Sequence, residues 1–376
     1  MYLNHRLLRT ALRVTARERP FSLRRWAWIA GFAALYFPIR TLVSVSRWLD
    51  RWLYPEFTRQ PVREPVFIVG APRSGTTFLQ SLMALDEEHF AHIKLYHTIL
   101  PSVVLLRGIR RIAALDRHCG RPFARLAGWL ERSAFERWSD VHLMAFAKPE
   151  EDEGLLFWTF VGESIFLLFP YIEELREVAF PDQLPSRERR AFMRHYRRTM
   201  QRIVYATGPE KTLLSKSTSF AGRIDSMLEA YPDARIVHLV RHPYECLPSH
   251  VSAFYPAWES HSPEIARDSD VSRAYAEVAT DWMRELYEKR SKFDAERYLS
   301  VRYRDLVRDP LGTIEGIYAH LGLEIGEDLR ARLRAAVAES REYRSHHHYS
   351  LEEFGLSPEW VQERLGDVMD AYEFER

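Results

Sequence analysis

Apolar positions follow two regimes along the chain. Val66, Phe67, Ile68 and Val69 form an unbroken apolar run closed by Gly70, which predicts a short buried strand. Residues 76–85 then place apolar side chains at helical spacing. Residues 212–215, 235–240 and 297–303 are further strand candidates, with helices predicted over 221–231, 310–321 and 327–340. Strands alternating with helices predict a parallel α/β sheet. The intervening residues 86–210 read as mainly helical. There, 102–115 and 123–138 are apolar-periodic, 155–169 are apolar and aromatic, and 186–205 form an arginine-rich amphipathic helix. Pro61 and Pro65 bracket a linker. The boundary at residue 60 separates an N-terminal helical extension, 1–60, from a domain over 61–376.

The extension has its own pattern. Residues 1–25 hold seven arginines and one acid, Glu18. Residues 26–39 then carry no charge, and Arg40 and an amphipathic stretch over 41–53 follow. A membrane-crossing helix needs about 20 apolar residues, so this run is short, and Gly31 and Pro38 weaken it further. Its late start, with no small-residue cleavage site, also departs from a secretory signal. Two readings stand side by side. One is an interfacial helix giving peripheral membrane contact through residues 20–55, since arginine flanks and aromatic side chains suit the headgroup region. The other is a helix packed on the rest of the chain.

Composition narrows the class. Of 376 residues, 46% are hydrophobic and 28% charged, which excludes a disordered chain, a collagen and a polytopic membrane protein. Lys+Arg is 53 and Asp+Glu is 52, a net charge of +1. No global field would hold nucleic acid, so any anion site must be a local pocket. Only six cations are lysines, which makes a lysine inside a motif worth weighing. The two cysteines, Cys119 and Cys246, form no metal-ligand or redox pattern, and a cytoplasmic location, at its membrane face if membrane-associated, is expected.

The sharpest signal follows the first strand: Gly70, Ala71, Pro72, Arg73, Ser74, Gly75, Thr76, Thr77. A glycine-bounded turn between strand and helix aims backbone amides inward, and the helix N-terminus adds positive partial charge. Four residues between the glycines is Walker A spacing. Walker A then requires lysine, and this chain has Thr76. Its cation lies inside the loop, as Arg73. That disfavours a nucleoside triphosphate and favours a smaller 5′-anion. Farther on, the 235–240 strand ends at Arg241, and Ser249 follows eight residues later on the next helix. An arginine and a hydroxyl so placed can converge on one phosphate. Lys216 falls at the end of the 213–215 strand, where open α/β sheets bind ligands.

The run from Pro72 to Thr77 resembles the 5′-phosphosulfate loop of sulfotransferases that use 3′-phosphoadenosine 5′-phosphosulfate (PAPS). Arg241 and Ser249 resemble that family's 3′-phosphate motif, and the segments 299–310 and 349–356 resemble its later parts. The resemblance spans roughly residues 62–375. It implies a three-layer α/β/α fold with a central parallel sheet of the P-loop type, and makes 86–210 a helical insertion on the acceptor side. It further implies that Pro72, Arg73, Ser74, Gly75, Thr76, Thr77, Arg241 and Ser249 bind PAPS, with no metal required, and that Lys216 assists transfer. Many members carry a catalytic histidine two residues after this lysine, where this chain has Thr218.

The general base is therefore open. His97 lies 24 residues after Arg73, near an offset at which some sulfotransferases carry a catalytic glutamate, and histidine titrates near neutral pH. Glu151 and Glu153 belong to a run of four acids after Pro149, and crowded carboxylates raise one another's proton affinity. His97 ranks slightly ahead. Trp138, Phe146, Phe157, Trp158 and Phe160 either line an apolar acceptor site or form core. His346, His347 and His348 read as polar contacts, because adjacent histidines share no helix face. The expected function is transfer of a sulfonate to a hydroxyl or amine of a small-molecule, lipid or glycan acceptor. A P-loop kinase-like enzyme and a non-catalytic membrane-peripheral nucleotide-binding protein are the rival readings.

Overall fold

The computed structural model describes residues 1–18, 21–118, 125, 128, 148–340 and 349–375. Apart from residues 125 and 128, the helix expected over 123–138 lies outside the described residues, as do Trp138, Phe146, the three consecutive histidines and Cys119. Among the described residues five strands form one sheet: β1 (Val66–Gly70), β2 (Phe90–His92), β3 (Thr212–Ser217), β4 (Arg235–Val240) and β5 (Tyr298–Arg302). Their order is β2-β3-β1-β4-β5 and every pairing is parallel. β1 sits between β3 and β4, so the chain crosses to opposite sides of it, and its carboxyl end is where such sheets bind ligands.

Among the described residues the helices are α1 (His5–Arg17), α2 (Leu23–Leu53), α3 (Thr76–Met83), α4 (Leu95–Ile99), α5 (Val103–His118), α6 (Glu153–Leu156), α7 (Ser186–Thr207), α8 (Ile224–Ala230), α9 (Pro243–His261), α10 (Asp270–Lys289), α11 (Tyr303–Arg308), α12 (Pro310–Leu321), α13 (Glu327–Ser340) and α14 (Pro358–Ala371). Strand periodicity splits them into two layers. Val66 and Ile68 of β1 face a smaller core with Leu82 of α3, Ile317 of α12 and Leu333 of α13. Phe67 and Val69 face a larger core with Tyr196 of α7, Val251 of α9 and Trp282 of α10. The fold is the expected three-layer α/β/α.

Two elements differ from the sequence reading. β2 lies inside the stretch read as helical, and it lengthens the sheet beside β3 through Phe90↔Thr212 to His92↔Leu214. The apolar run 26–39 and the amphipathic stretch after it are one helix, α2, continuous through Pro38. Ser22 caps its start, its hydroxyl accepting from the Arg25 amide at 3.2 Å. Its inward stripe is buried at Arg25, Ile29, Tyr36, Val43, Ser46, Arg47 and Asp50. Arg25 donates to the Ser262 hydroxyl at 2.7 Å and pairs with Glu18 and Glu264. Asp50 accepts from the Ser102 hydroxyl (2.9 Å), the Val103 and Val104 amides (3.1 and 2.9 Å) and Arg202 Nε (2.8 Å). It thereby caps α5, whose first amides have no helical partners. Leu7, Ala11, Ile29 and Phe57 share the larger core with the sheet.

Candidate active site

The β1–α3 turn is shaped by its glycines. Gly70 has φ +156°, and a Cβ there would lie 2.5 Å from the Leu239 carbonyl oxygen of β4. Gly75 has φ +86°, and a Cβ there would lie 2.6 Å from the Tyr303 ring. Arg73 also takes a left-handed backbone, at φ +68°, and its side chain is exposed. Ser74 is buried, its hydroxyl 3.5 Å from the Cys246 sulfur, and burial pushes that thiol up to about 11. Cys246 is thus a packed, protonated group under the loop. Thr76 and Thr77 open α3, so their amides lack helical acceptors and stay available to an anion.

The second anion pair meets the first. Arg73 Nε donates to the Ser249 hydroxyl at 3.1 Å. Arg241 Nη1 donates to the Arg73 carbonyl at 2.7 Å, and its Nε donates to Glu245 at 2.7 Å. The Arg241 guanidinium lies 4.1 Å over the Tyr303 ring, the same ring that backs Gly75. Arg73, Arg241 and Ser249, distant in sequence, therefore surround one mouth. Tyr303 is the floor beneath it. The sequence reading missed that tyrosine, although it sits directly after β5 in a segment already singled out.

Lys216 joins the loop to the acidic run. β3 continues past residue 215 to Ser217, so this lysine lies within the strand and its side chain is 2% exposed. Nζ donates to Thr77 Oγ1 at 2.8 Å and lies 2.8 Å from Glu151 Oε1. The other Glu151 oxygen accepts from the Thr218 hydroxyl at 2.7 Å. Thr218 thus orients a carboxylate. A backbone bridge between Glu151 and Lys216, with the Asp152 amide donating to the Lys216 carbonyl at 3.1 Å, lays the acidic run along the end of β3.

The neighbouring acids face inward. Asp152 accepts from Tyr196 OH (2.5 Å) and Arg223 Nη2 (2.7 Å), both buried. Arg223 also donates to the Ser217 hydroxyl at 2.7 Å, which fixes the end of β3. Glu153 accepts from the Ser219 hydroxyl (2.7 Å) and the Ser164 amide (3.1 Å), and burial pushes its carboxyl up. Its carboxylate therefore does not reach the loop. His97 is 1% exposed; its Nδ1 accepts from the Lys94 amide at 3.1 Å, and Nε2 is buried without a partner. Burial, helped by Lys94, lowers its pKa to about 3, so the ring is neutral at physiological pH. It makes no hydrogen bond to Thr77, Lys216 or Glu151. Glu151 is tied to the loop through Lys216, while His97 and Glu153 make their hydrogen bonds to other partners, Lys94 and Ser219 with Ser164. Trp158 and Phe160 are buried; Trp158 Nε1 donates to the Thr98 carbonyl at 2.7 Å, and Tyr36 of α2 stacks on it with centroids 5.2 Å apart. Among the described residues no group of three or more His, Cys, Asp or Glu side chains is placed to hold a metal ion.

The model of the sulfotransferase family matches residues 65–327. The chain is similar to the omega-hydroxy-beta-dihydromenaquinone-9 sulfotransferase Stf3 of Mycobacterium bovis and of Mycobacterium tuberculosis. It is 27% identical to each over 383 aligned positions, covering 97% of this chain and 89% of the relative. Among solved structures it resembles sulfotransferase STF9 of Mycobacterium avium, with TM-score 0.71 and 20% identity, covering 98% of this chain and 86% of the other. It also resembles STF1 of Mycobacterium tuberculosis, with TM-score 0.70 and 22% identity, covering 96% and 91%. These two likenesses bear on the fold.

Proposed function

The chain belongs to the sulfotransferase family and moves a sulfonate group from PAPS to an acceptor, and from that premise we propose that Glu151 is the general base, Lys216 the charge-stabilising cation and a lipid-like alcohol the acceptor. The kinase-like and non-catalytic readings give way to it. One observation carries the site assignment: Lys216 Nζ lies 2.8 Å from both Thr77 Oγ1 and Glu151 Oε1, joining the anion loop to a carboxylate.

The residues suit this donor. Glycine stands at the two positions where a Cβ would strike the Leu239 carbonyl or the Tyr303 ring, so the turn keeps its tight course with its amides open. The loop amides with Arg73, Ser74, Thr76 and Thr77 would hold the 5′-phosphosulfate, and Arg241 with Ser249 the 3′-phosphate. Bound there, PAPS supplies the sulfonate: an S–O bond forms to the acceptor as the S–O bond to the 5′-phosphate breaks. Glu151 takes the acceptor's hydroxyl proton, with Thr218 holding the carboxylate's second oxygen. Lys216 meets the negative charge that grows on the leaving phosphate. Pro72 shapes the loop ahead of Arg73. His97 and Glu153 act as structural supports of the acidic run.

In this reading residues 1–60 are a helical extension of a domain over 61–376, with 86–210 shaping the acceptor side. A lipid-like acceptor is favoured by the dihydromenaquinone named for the relative that aligns over 97% of the chain. Contact of residues 20–55 with the cytoplasmic face of a membrane belongs with it, because such an acceptor is collected from a bilayer. The test is transfer from labelled PAPS to a panel of hydroxylated lipids, comparing Glu151→Gln with His97→Gln. Glu151→Gln should lower kcat by about 10²–10⁴-fold while adenosine 3′,5′-bisphosphate binds as before. A comparable loss in His97→Gln with Glu151→Gln active would overturn the assignment.

A further inference from the structure

The outer face of α2 carries a second specific surface. Between Arg24 and Arg51 its exposed positions hold a single polar side chain, Thr41, whose hydroxyl already donates to the Phe37 carbonyl at 2.8 Å. The rest are apolar, with Trp28, Leu35, Leu42, Val45 and Trp48 all about half-exposed or more and Leu35 at 69%, and Trp52, just past Arg51, is 72% exposed. A helix of 31 residues is about 46 Å long, so this is a continuous apolar strip far larger than scattered surface leucines.

By length and composition α2 could cross a membrane. Its inner face forbids that. Arg25, Arg47 and Asp50 on the opposite stripe are buried in hydrogen bonds to Ser262, Thr199, Ser102 and Arg202, from elements spread over the chain. A crossing helix would leave these groups unpaired in hydrocarbon, at several kcal/mol each. The same helix can therefore meet a bilayer along one side only.

Charge at its two ends selects the bilayer. Next to its start, α1 exposes Arg9, Arg13 and Arg17 at four-residue spacing, and Arg24 follows. Past its end lies a cavity of about 340 Å³ lined by Arg107, Arg110, Arg111 and Tyr205. Arg107 is held 4.7 Å from the Tyr54 ring and 4.5 Å from the Tyr205 ring, while Arg110 donates to the Ala206 carbonyl at 2.5 Å. Glu56 stands at its rim, accepting from Tyr205 OH at 3.4 Å. Tyr54 directly follows α2, so cavity and strip adjoin.

We infer that α2 lies in the plane of an anionic bilayer, its apolar strip among the acyl chains and the Arg107–Arg110–Arg111 cavity seating a lipid headgroup phosphate. The inference deepens the lipid-acceptor reading and rests on it for its purpose, not for its binding. Phe157 packs edge-on against Phe32 of α2 at 5.3 Å and Trp158 stacks on Tyr36, and both lie just after the acidic run that holds Glu151. The surface that meets lipid is thus one aromatic layer from the transfer site.

Vesicle co-sedimentation of the full chain tests this, with phosphatidylcholine alone and with one-third phosphatidylglycerol. Binding should favour the phosphatidylglycerol vesicles, fall with added salt and be released by alkaline carbonate. Arg111→Gln should weaken it about fivefold on anionic vesicles alone. Leu35→Asp with Val45→Asp should weaken it more than tenfold on both. Adenosine 3′,5′-bisphosphate affinity should not change in any variant, which reports an intact fold. Equal binding to neutral and anionic vesicles, or resistance to carbonate, would overturn the inference. So would a wild-type dimer that Leu35→Asp converts to a monomer, since the strip would then belong to a second copy. Vesicle binding without sulfonate transfer would sink the functional proposal and leave this one standing.

Discussion

The donor loop and the acidic run at residues 150–153 meet at Lys216, yet they are built in opposite ways. The loop is backbone: two glycines, a left-handed Arg73 and the open amides of α3, with Arg73 and Thr77 exposed. The acidic run is side chain: Asp152 is bonded to Tyr196 and Arg223, and Glu153 to Ser219, all five of them buried. A backbone cradle holds its shape whatever most of its side chains do. A buried polar network holds only if every member is present. Changes on the loop side should therefore alter binding, and changes on the acidic side should alter stability or chemistry.

The strongest way to break this contrast is Arg223→Leu. It leaves Asp152 buried and unpaired, and unfolding free energy by urea titration should fall by about 3–5 kcal/mol. A loss under 1 kcal/mol would mean the network is not what fixes the end of β3. Next comes Lys216→Met, at the seam. Thermal stability should change little, while kcat falls about 10²–10³-fold, the scale for removing one preorganised charge donor. Arg241→Ala should act on affinity alone. It should weaken adenosine 3′,5′-bisphosphate about 10–100-fold and leave adenosine 5′-phosphosulfate, which has no 3′-phosphate, nearly unaffected. Equal losses for both ligands would remove Arg241 from the 3′-phosphate.

The smallest effect concerns pH. With a folded pKa of about 3 against an ordinary 6.5, His97 binds its proton in the unfolded chain first. Its contribution is intact above pH 6.5 and is lost as pH falls toward 3. Between pH 7.5 and 5.5 this amounts to about 1.4 kcal/mol, and a neutral replacement such as His97→Asn should flatten the stability slope by that much. A slope unchanged by the substitution would return His97 to an exposed, titrating role.

The contrast also explains what the sequence could disclose. β1, β4, α12 and α13 fall at their expected residues because a local pattern decides each of them: an apolar run, or helical spacing opened by a proline or an acidic pair. The loop was legible for the same reason, since its glycines and arginine are contiguous. Arg241 and Ser249 were legible because both flank one strand-to-helix junction. β2 was not, because three residues show no alternation and its partner, Thr212 to Leu214, is remote. Glu151 was legible as a residue type but not as a position. What separates it from Glu153 is the side each faces, set by the bridge to Lys216 and by Thr218, neither of which has a local signature. Thr218 read as a missing histidine and proved to hold the carboxylate. α2 was ambiguous for a physical reason too: its stripe of buried Arg25, Arg47 and Asp50 is decided by partners far along the chain.

Tyr303 carries a consequence for the order of events during synthesis. Its ring backs Gly75 and lies under Arg241, and it directly follows β5, the last of the five strands in sequence. A chain emerging N-terminus first can form β1, α3 and their turn early. It cannot finish the donor mouth until β5 has paired with β4 and delivered that ring. A ribosome-bound chain stopped before residue 298 would display the loop without its floor. The shape of the donor mouth would therefore depend on a ring that the chain supplies only after the other four strands have been made.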